Sequence, residues 1–212
     1  MPDPVTSPGR TTTVTTVGEG TASGVPDTLR VHASVQHRSS SVSEALAGCA
    51  SAADAAVTAA RAFTEAEHVA SRGLNVGQWY GDGDRPNGYY AQHSIEVVCA
   101  DLDRAGELVD GLAEAVGERL RIDHVELFVA EPRPIRFAAR EAAFADARAK
   151  ADQLAALAGQ RVDGVLAVVE GGTGGGPSPL GVARVAAAST AFEPGTASVT
   201  GTLTVTWLTS SL

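Results

Sequence analysis

The chain has 212 residues, of which 44% are hydrophobic and 19% are charged, and its formal net charge is −9. This balance favours a folded protein over a disordered one. The negative charge argues against nucleic-acid binding, which needs clustered Lys and Arg. Apolar runs such as residues 165–169 are far too short to span a bilayer, so no membrane insertion is expected.

Residues 1–10 are rich in Pro, Ser and Thr, and we expect a flexible N-terminus there. The same residues show no cationic stretch leading into an apolar one, so no secretory signal is predicted and a cytoplasmic protein is the plain interpretation. Residues 11–212 are predicted to form a single domain.

The first elements alternate clearly. Residues 11–17 are β-branched and predict a strand that ends at Gly18-Glu19-Gly20. Residues 29–36 alternate between apolar and polar side chains, which indicates a half-buried strand. Ser41 and Glu44 have the spacing of a capping box, and they predict the start of a first helix.

Two strands at about residues 74–80 and 89–100 flank a turn-rich loop and resemble a long hairpin. Asp82-Gly83-Asp84 in that loop could suggest a calcium site. Such a loop needs Asp or Asn at position 86 and Glu at position 93, where this chain has Pro86 and His93. We therefore interpret the loop as a turn with solvated carboxylates.

Asp101 or Asp103 caps a second helix, which ends near Gly117. A strand at 122–130 follows, and then a third helix at about 135–158. Gly159 stops that helix in a left-handed conformation. We expect its buried stripe to consist of Phe137, Phe144, Ala151, Leu154 and Ala158.

Residues 162–169 are apolar on both faces, which predicts a central strand. Residues 171–195 form a Gly-rich tract, which we predict to be a mobile insertion. The last strand places Val199, Leu203 and Trp207 in alternation with threonines. The order ββαβ-βαβα-ββ predicts an α+β fold with antiparallel sheets packed against three helices.

Several short motifs occur in the order seen in SIMPL-domain proteins, from about residue 11 to residue 208. They are Val17-Gly18-Glu19-Gly20, Pro26-Asp27, Glu44-Ala45, Asp101-Leu102-Asp103, residues 147–159 and Glu193-Pro194-Gly195. The chain resembles that family, which includes periplasmic immunogenic and oxidative-stress-defence proteins. The resemblance implies an α+β subunit and assembly into large rings, and it carries no catalytic residues.

No cofactor, metal or catalytic site is predicted. The five histidines and two cysteines lack the spacing of a structural zinc site. The glycines at 171–176 are not followed by the Gly-Lys-Ser/Thr of a phosphate loop. Cys49 and Cys99 fall on apolar faces, which is typical of buried structural thiols. We expect a protein that is not an enzyme.

The aromatic residues Trp79, Tyr80, Tyr89 and Tyr90 flank the loop at 81–88. They either pack across the base of a hairpin or form a possible interaction surface, since Tyr and Trp dominate binding hot spots.

Two functional hypotheses follow. In the first, the protein is a non-enzymatic, self-assembling scaffold or interaction module. In the second, it is a small-molecule-binding or stress-related protein with a pocket between sheet and helices. We expect a homo-oligomer larger than a dimer, because the first and last strands have Thr-rich faces without the Lys or Pro that protect sheet edges. The alternative is that these two strands pair within one subunit.

Overall fold

The computed structural model describes residues 12–81, 85–171, 178–179 and 192–212. The predicted flexible N-terminus, Asp82-Gly83-Asp84 and most of the 171–195 tract lie outside these residues. Contacts divide the chain into two compact units, which are described separately below. The predicted α+β class, with three helices and antiparallel sheets, is confirmed. The single-domain interpretation stays a prediction.

Unit 1 is a sheet with one helix. Its elements are β1 Thr12–Gly24, α3 Arg133–Leu157, β6 Gln160–Glu170 and β8 Ala197–Ser211. The strand order is β1-β8-β6, with antiparallel neighbours, and a two-residue strand β7, Ser178–Pro179, also pairs with β8.

The glycines of β1 allow a very close approach of α3. A Cβ atom added to Gly18 would lie 2.0 Å from the carbonyl oxygen of Ala143, and one added to Gly20 would lie 2.2 Å from the Ala143 amide nitrogen. The strand runs through both glycines to Gly24. The predicted end of the strand at Gly18-Glu19-Gly20 is therefore wrong, because these glycines serve helix packing instead of a turn.

The buried stripe of α3 consists of small residues and one Ile at four-residue spacing: Ile135, Ala139, Ala143, Ala147, Ala151 and Ala155. Phe137, Phe144 and Leu154 were expected in this stripe but are 62%, 37% and 46% exposed, and Ala158 is exposed too. Only Ala151 was placed correctly. A helix backbone that lies against glycines leaves no room for large side chains beneath it, so the alanines face the sheet.

One buried chain of hydrogen bonds connects two neighbouring strands of this sheet with the helix. The indole Nε1 of Trp207 on β8 donates to Thr16 Oγ1 on β1 over 2.9 Å, and that hydroxyl donates to the Ala147 carbonyl on α3 over 2.8 Å. Trp207 is fully buried, so its only polar atom needs this partner.

The two terminal strands pair with each other. β1 and β8 are in register from Thr12 opposite Thr209 to Gly24 opposite Ala197. The first and last strands therefore pair within one subunit, which was the alternative to pairing with a neighbouring copy. By contrast, β6 lies at the edge of the sheet among the described strands, and its predicted central position is wrong there.

Unit 2 contains the remaining long elements. They are β2 Thr28–Ser39, α1 Val42–Ala60, β3 Val69–Tyr80, β4 Pro86–Cys99, α2 Ala105–Val116 and β5 Leu120–Phe128. The strand order is β3-β4-β2-β5, all antiparallel. Large apolar side chains fill the core between this sheet and its helices, among them Leu29, Val31, Val35, Ile95, Leu108 and Leu112.

The motif residues of this unit act as backbone caps. Ser41 caps α1 by accepting from the Glu44 amide. Asp27 Oδ1 accepts from the Ala130 amide at 2.8 Å, and Asp101 accepts from the Asp103 amide. None of the helices in the described ranges is long and apolar enough to cross a membrane.

Candidate functional site

The outer face of the unit 2 sheet is the face directed away from its apolar core. The alternation predicted for β2 is confirmed: Leu29, Val31, Ala33 and Val35 are buried in the core, and the intervening polar side chains point to the outer face. This outer face carries two groups of side chains, one aromatic and one charged.

The aromatic group lies at the end of the β3–β4 pair. Tyr90 is directly opposite Arg38 of β2 and Gly77 of β3, which places its ring on the outer face. Trp79 is two residues after Gly77, so it lies on the same face. The Arg38 guanidinium lies 5.0 Å from the centre of the Trp79 ring. Gly77 leaves space for Tyr90, since a Cβ there would come within 2.8 Å of the tyrosine ring.

The other two aromatic residues lie elsewhere. Tyr89 packs against the core of unit 2. Tyr80 is 54% exposed, and its hydroxyl donates to Gln78 Oε1 over 3.2 Å. The structure therefore places Trp79 and Tyr90 on the same face of the sheet, while Tyr89 faces the core. Their role in binding stays a prediction.

The charged group is centred on Glu96 of β4, which is only 9% exposed. Arg72 of β3 donates to Glu96 Oε1, and Arg30 Nε of β2 lies 3.8 Å from the same oxygen. His32 Nδ1 is 3.6 Å from Glu96 Oε2. The hydrogen bond from Arg72, opposed by burial and aided by the nearby positive charges, lowers the pKa of the Glu96 carboxyl. Glu96 thus stays ionised and orders the cationic side chains around it.

A second carboxylate extends this group onto β5. Arg30 also pairs with Glu126, and its guanidinium lies 4.1 Å from the centre of the Phe128 ring. His124 is directly opposite His32, and the two imidazole rings stack with their centres 6.0 Å apart. We call Arg30, His32, Arg72, Glu96, His124 and Glu126 the Glu96 cluster.

The chemistry of the Glu96 cluster is that of an ordered polar surface. The two arginines and two glutamates balance in charge. A carboxyl group with a lowered pKa is a weak proton acceptor at neutral pH, so Glu96 is poorly suited to general-base catalysis. No group of three or more His, Cys, Asp or Glu in the described part of the chain could hold a metal ion.

An open depression of about 230 Å³ lies beside the cluster, lined by Gly73, Leu74, Asn75, Gln92 and Ser94. Polar side chains supply much of this lining. It adds hydrogen-bonding groups to the outer face between the aromatic and the charged groups.

The Glu96 cluster was missed by sequence reasoning. His32 and His124 are 92 positions apart, and only strand register makes them neighbours. The available signal was the polar alternation on β2, which showed that Arg30 and His32 share a face. The partner strands could not be assigned from the pattern.

The two cysteines are free and buried, as predicted. Burial raises the pKa of the Cys49 thiol, and its Sγ donates to the Val35 carbonyl over 3.6 Å. A thiol with a raised pKa is a weak nucleophile. Slow reaction with thiol reagents stays a prediction.

Unit 1 carries an apolar surface on its edge strand. Val165, Leu166, Val168 and Val169 of β6 are 43% to 61% exposed. Val165 and Val168 lie opposite the buried Trp207 and Val205, so they face the side of the sheet on which α3 packs. Val169 lies opposite Thr204 and faces the other side of the sheet. We call these four residues the β6 surface.

A family model described as "SIMPL: Protein of unknown function (DUF541)" matches residues 14–207. The chain belongs to the SIMPL family. The predicted resemblance is therefore confirmed, and the family assignment comes without a known molecular role. A search of curated proteins found no match.

Solved structures show only weak similarity. The crystal structure of AtUAH in complex with (S)-hydroxyglycine is 10% identical, with 53% of this chain and 29% of that chain covered and a TM-score of 0.26. The structure of AtUAH in complex with glyoxylate is 12% identical, with 59% and 34% covered and a TM-score of 0.26. This SIMPL chain spans about a third of the length of those proteins, and the similarity carries no functional argument.

Proposed function

We propose that this SIMPL protein is a non-catalytic interaction module that assembles with copies of itself into an oligomer larger than a dimer. The observation that carries the proposal is the β6 surface. Exposed apolar residues on an edge strand form a ready template for pairing with another chain, and soluble proteins usually protect such edges.

The charges at the two ends of β6 favour a second copy as the occupant. Arg161 lies near the start of the strand, and Glu170 lies at its end. In an antiparallel pair of β6 strands, Arg161 of each copy would approach Glu170 of the other. Within one chain Arg161 pairs with Asp163 and Glu170 pairs with Arg140, so these contacts would add to existing ion pairs. Valine and leucine side chains would meet between these charged ends, as they do in the middle of a sheet.

Growth beyond a dimer requires a second contact surface. The aromatic group of unit 2 supports that step, because Trp79, Tyr90 and Arg38 are the residue types that dominate binding hot spots. The ring assembly implied by the family resemblance agrees with two different contact surfaces on each subunit.

The alternative function is small-molecule binding or a role in oxidative stress, with a pocket between sheet and helices. The side chains between the unit 2 sheet and its helices, including Leu29, Ile95, Leu108 and Leu112, are under 2% exposed and fill that space. No described contact favours a ligand there, and we place assembly first.

Light scattering coupled to size exclusion at micromolar concentration tests the proposal. We expect a mass that is a multiple of 21.6 kDa and larger than two subunits. Val168→Lys should lower the mass by placing a charge on the β6 edge. Leu157→Lys is the matched control, because Leu157 is 79% exposed on α3 and lies outside the β6 surface. A wild-type mass near 21.6 kDa would contradict the proposal.

A further inference from the structure

The outer edge of β1 is covered by two side chains of α3. In a strand, the N–H and C=O of one residue point to the same side, and they alternate between sides along the chain. Lys150 Nζ donates to the Val17 carbonyl over 2.9 Å, and the Glu19 amide donates to Asp146 Oδ2 over 2.9 Å. Val17 and Glu19 both direct these groups toward α3, so the contacts occupy the middle of the strand edge.

Asp146 and Lys150 also bind each other, with 2.7 Å between Nζ and Oδ2. The hydrogen bond from Lys150, followed by that from the Glu19 amide, lowers the pKa of the Asp146 carboxyl. The pair therefore stays ionised at neutral pH. Lys150 donates to one backbone carbonyl of β1, and Asp146 accepts from one backbone amide of the same strand. Each side chain also neutralises the charge of the other.

The position of the pair depends on the close packing of α3. Thr16 and Gly18 hold the helix against β1 around Ala147, one residue from Asp146. Because the helix lies so close to the strand, the side chains of Asp146 and Lys150 both reach the backbone of β1. The two are still accessible, since the Lys150 side chain is 47% exposed and that of Asp146 is 37% exposed.

The opposite edge of the same sheet has no such cover in the described residues. β6 pairs with β8 on one side, and its exposed residues include the apolar ones of the β6 surface together with Arg161, Asp163 and Glu170. The sheet thus has one edge closed by an ion pair and one apolar edge. A sheet with two open edges would join copies head to tail without limit, whereas one open edge gives a closed pair.

We propose that Asp146 and Lys150 guard the outer edge of β1 against β6 of a second copy. The proposal rests on the proposed function, in which copies meet through β6. With the guard in place, β6 pairs with β6 of another copy. Without it, the β1 edge accepts β6 of another copy, and the assembly becomes open-ended.

The chain offers matched variants for the test. Asp146→Asn and Lys150→Gln each remove the ion pair while keeping the size of the side chain. Asp152→Asn is the control, because Asp152 forms a similar i,i+4 pair with Arg148 at 3.0 Å on the same helix. Lys150 is the only lysine in the chain, so acetylation of side-chain amines provides an independent way to neutralise the guard.

Amide hydrogen exchange measured by NMR reports on the guard itself. In Asp146→Asn the Glu19 amide should exchange about tenfold faster, because its acceptor becomes a neutral amide oxygen and a charge-assisted hydrogen bond is weakened. The Asp152→Asn variant should exchange at the wild-type rate. Unchanged exchange at Glu19 in Asp146→Asn would overturn the proposal.

Light scattering and negative-stain microscopy report on assembly. Asp146→Asn, Lys150→Gln and the acetylated protein should all give a mass that rises with concentration without a plateau. Adding Val168→Lys to Asp146→Asn should restore a finite mass, because the partner of the opened edge is β6. A constant mass in the guard variants, or growth that Val168→Lys leaves unchanged, would overturn the proposal.

These outcomes separate the guard from the proposed function. A wild-type protein of 21.6 kDa removes the proposed function, while growth of Asp146→Asn that depends on Val168 would still support the guard. An assembled wild type with guard variants of identical mass would retain the function and remove the guard.

Discussion

The two units solve helix-on-sheet packing in opposite ways. In unit 1 the helix backbone lies directly on Gly18 and Gly20, and five of the six buried residues on the helix are alanines. In unit 2 side chains as large as Ile95 and Leu108 fill a thicker layer. Close backbone contact tolerates no added atom, whereas a volume-filled core can relax around a lost one. This comparison predicts which substitutions each unit accepts.

The largest effect is expected at Gly18. Gly18→Ala should destabilise the fold by about 3 kcal/mol or more, because the new methyl would overlap the Ala143 carbonyl and must push the helix away. Urea denaturation measures the change. Gly73→Ala is the control, since a Cβ there meets no atom within 4 Å and should change stability by at most about 0.5 kcal/mol. Equal effects at the two positions would remove the proposed contrast between the units.

The buried chain of hydrogen bonds in unit 1 comes next. Thr16→Val keeps the shape of the side chain but leaves the buried Trp207 indole N–H without its partner and removes the hydrogen bond from the hydroxyl to the Ala147 carbonyl. We expect a loss of about 2 kcal/mol in the free energy of unfolding. Thr15→Val is the matched control, because Thr15 pairs with Thr206 on the exposed face of the sheet. A similar loss in both variants would show that the buried chain of hydrogen bonds contributes nothing specific.

In unit 2 the corresponding polar test is Glu96→Gln, with an expected loss of about 1 to 2 kcal/mol at pH 7. The folded-state pKa of Glu96 is lowered, chiefly by Arg72. The contribution of Glu96 to stability is therefore fully present above its unfolded-state pKa of about 4.3, and it is lost as the pH falls through the folded-state pKa. Urea denaturation between pH 7 and pH 3 should show a shallower acid decline for Glu96→Gln. Parallel pH profiles for the two proteins would contradict this role.

The smallest effect is expected in the apolar core of unit 2. Ile95→Val removes one buried methylene and should cost about 1 kcal/mol, because the neighbouring side chains relax only partly. Thermal unfolding provides the measurement. A cost above that of Gly18→Ala would mean that the thicker core is the more sensitive one.

Much of the fold was predictable from local pattern. Alternation on β2, the Ser41 cap and the left-handed glycines Gly117 and Gly159 all depend on a residue and its near neighbours, and the structure confirms them. Two of the errors share one cause. Gly18 and Gly20 looked like a turn, and Phe137 and Phe144 looked buried, because the pattern carries no information on how closely α3 approaches β1.

The candidate site was predictable only in part. Trp79 and Tyr90 were named as possible contact residues, and they do share the outer face. Tyr89 turned toward the core, since neighbouring residues on a strand face opposite ways. The Glu96 cluster escaped, because its members come from four strands that the sequence could not order.

The sequence by itself determined the SIMPL family, the α+β class and the order of the elements, because alternation, capping and glycine stops are local properties. Only the tertiary structure decided which strands lie at an edge, which side of α3 is buried and which charges meet. β6 is as apolar as a central strand, yet it lies at the edge. The central strand of this sheet is β8, which pairs with β6 on one side and with β1 on the other. Strand order depends on contacts between distant segments, and a local pattern does not encode them.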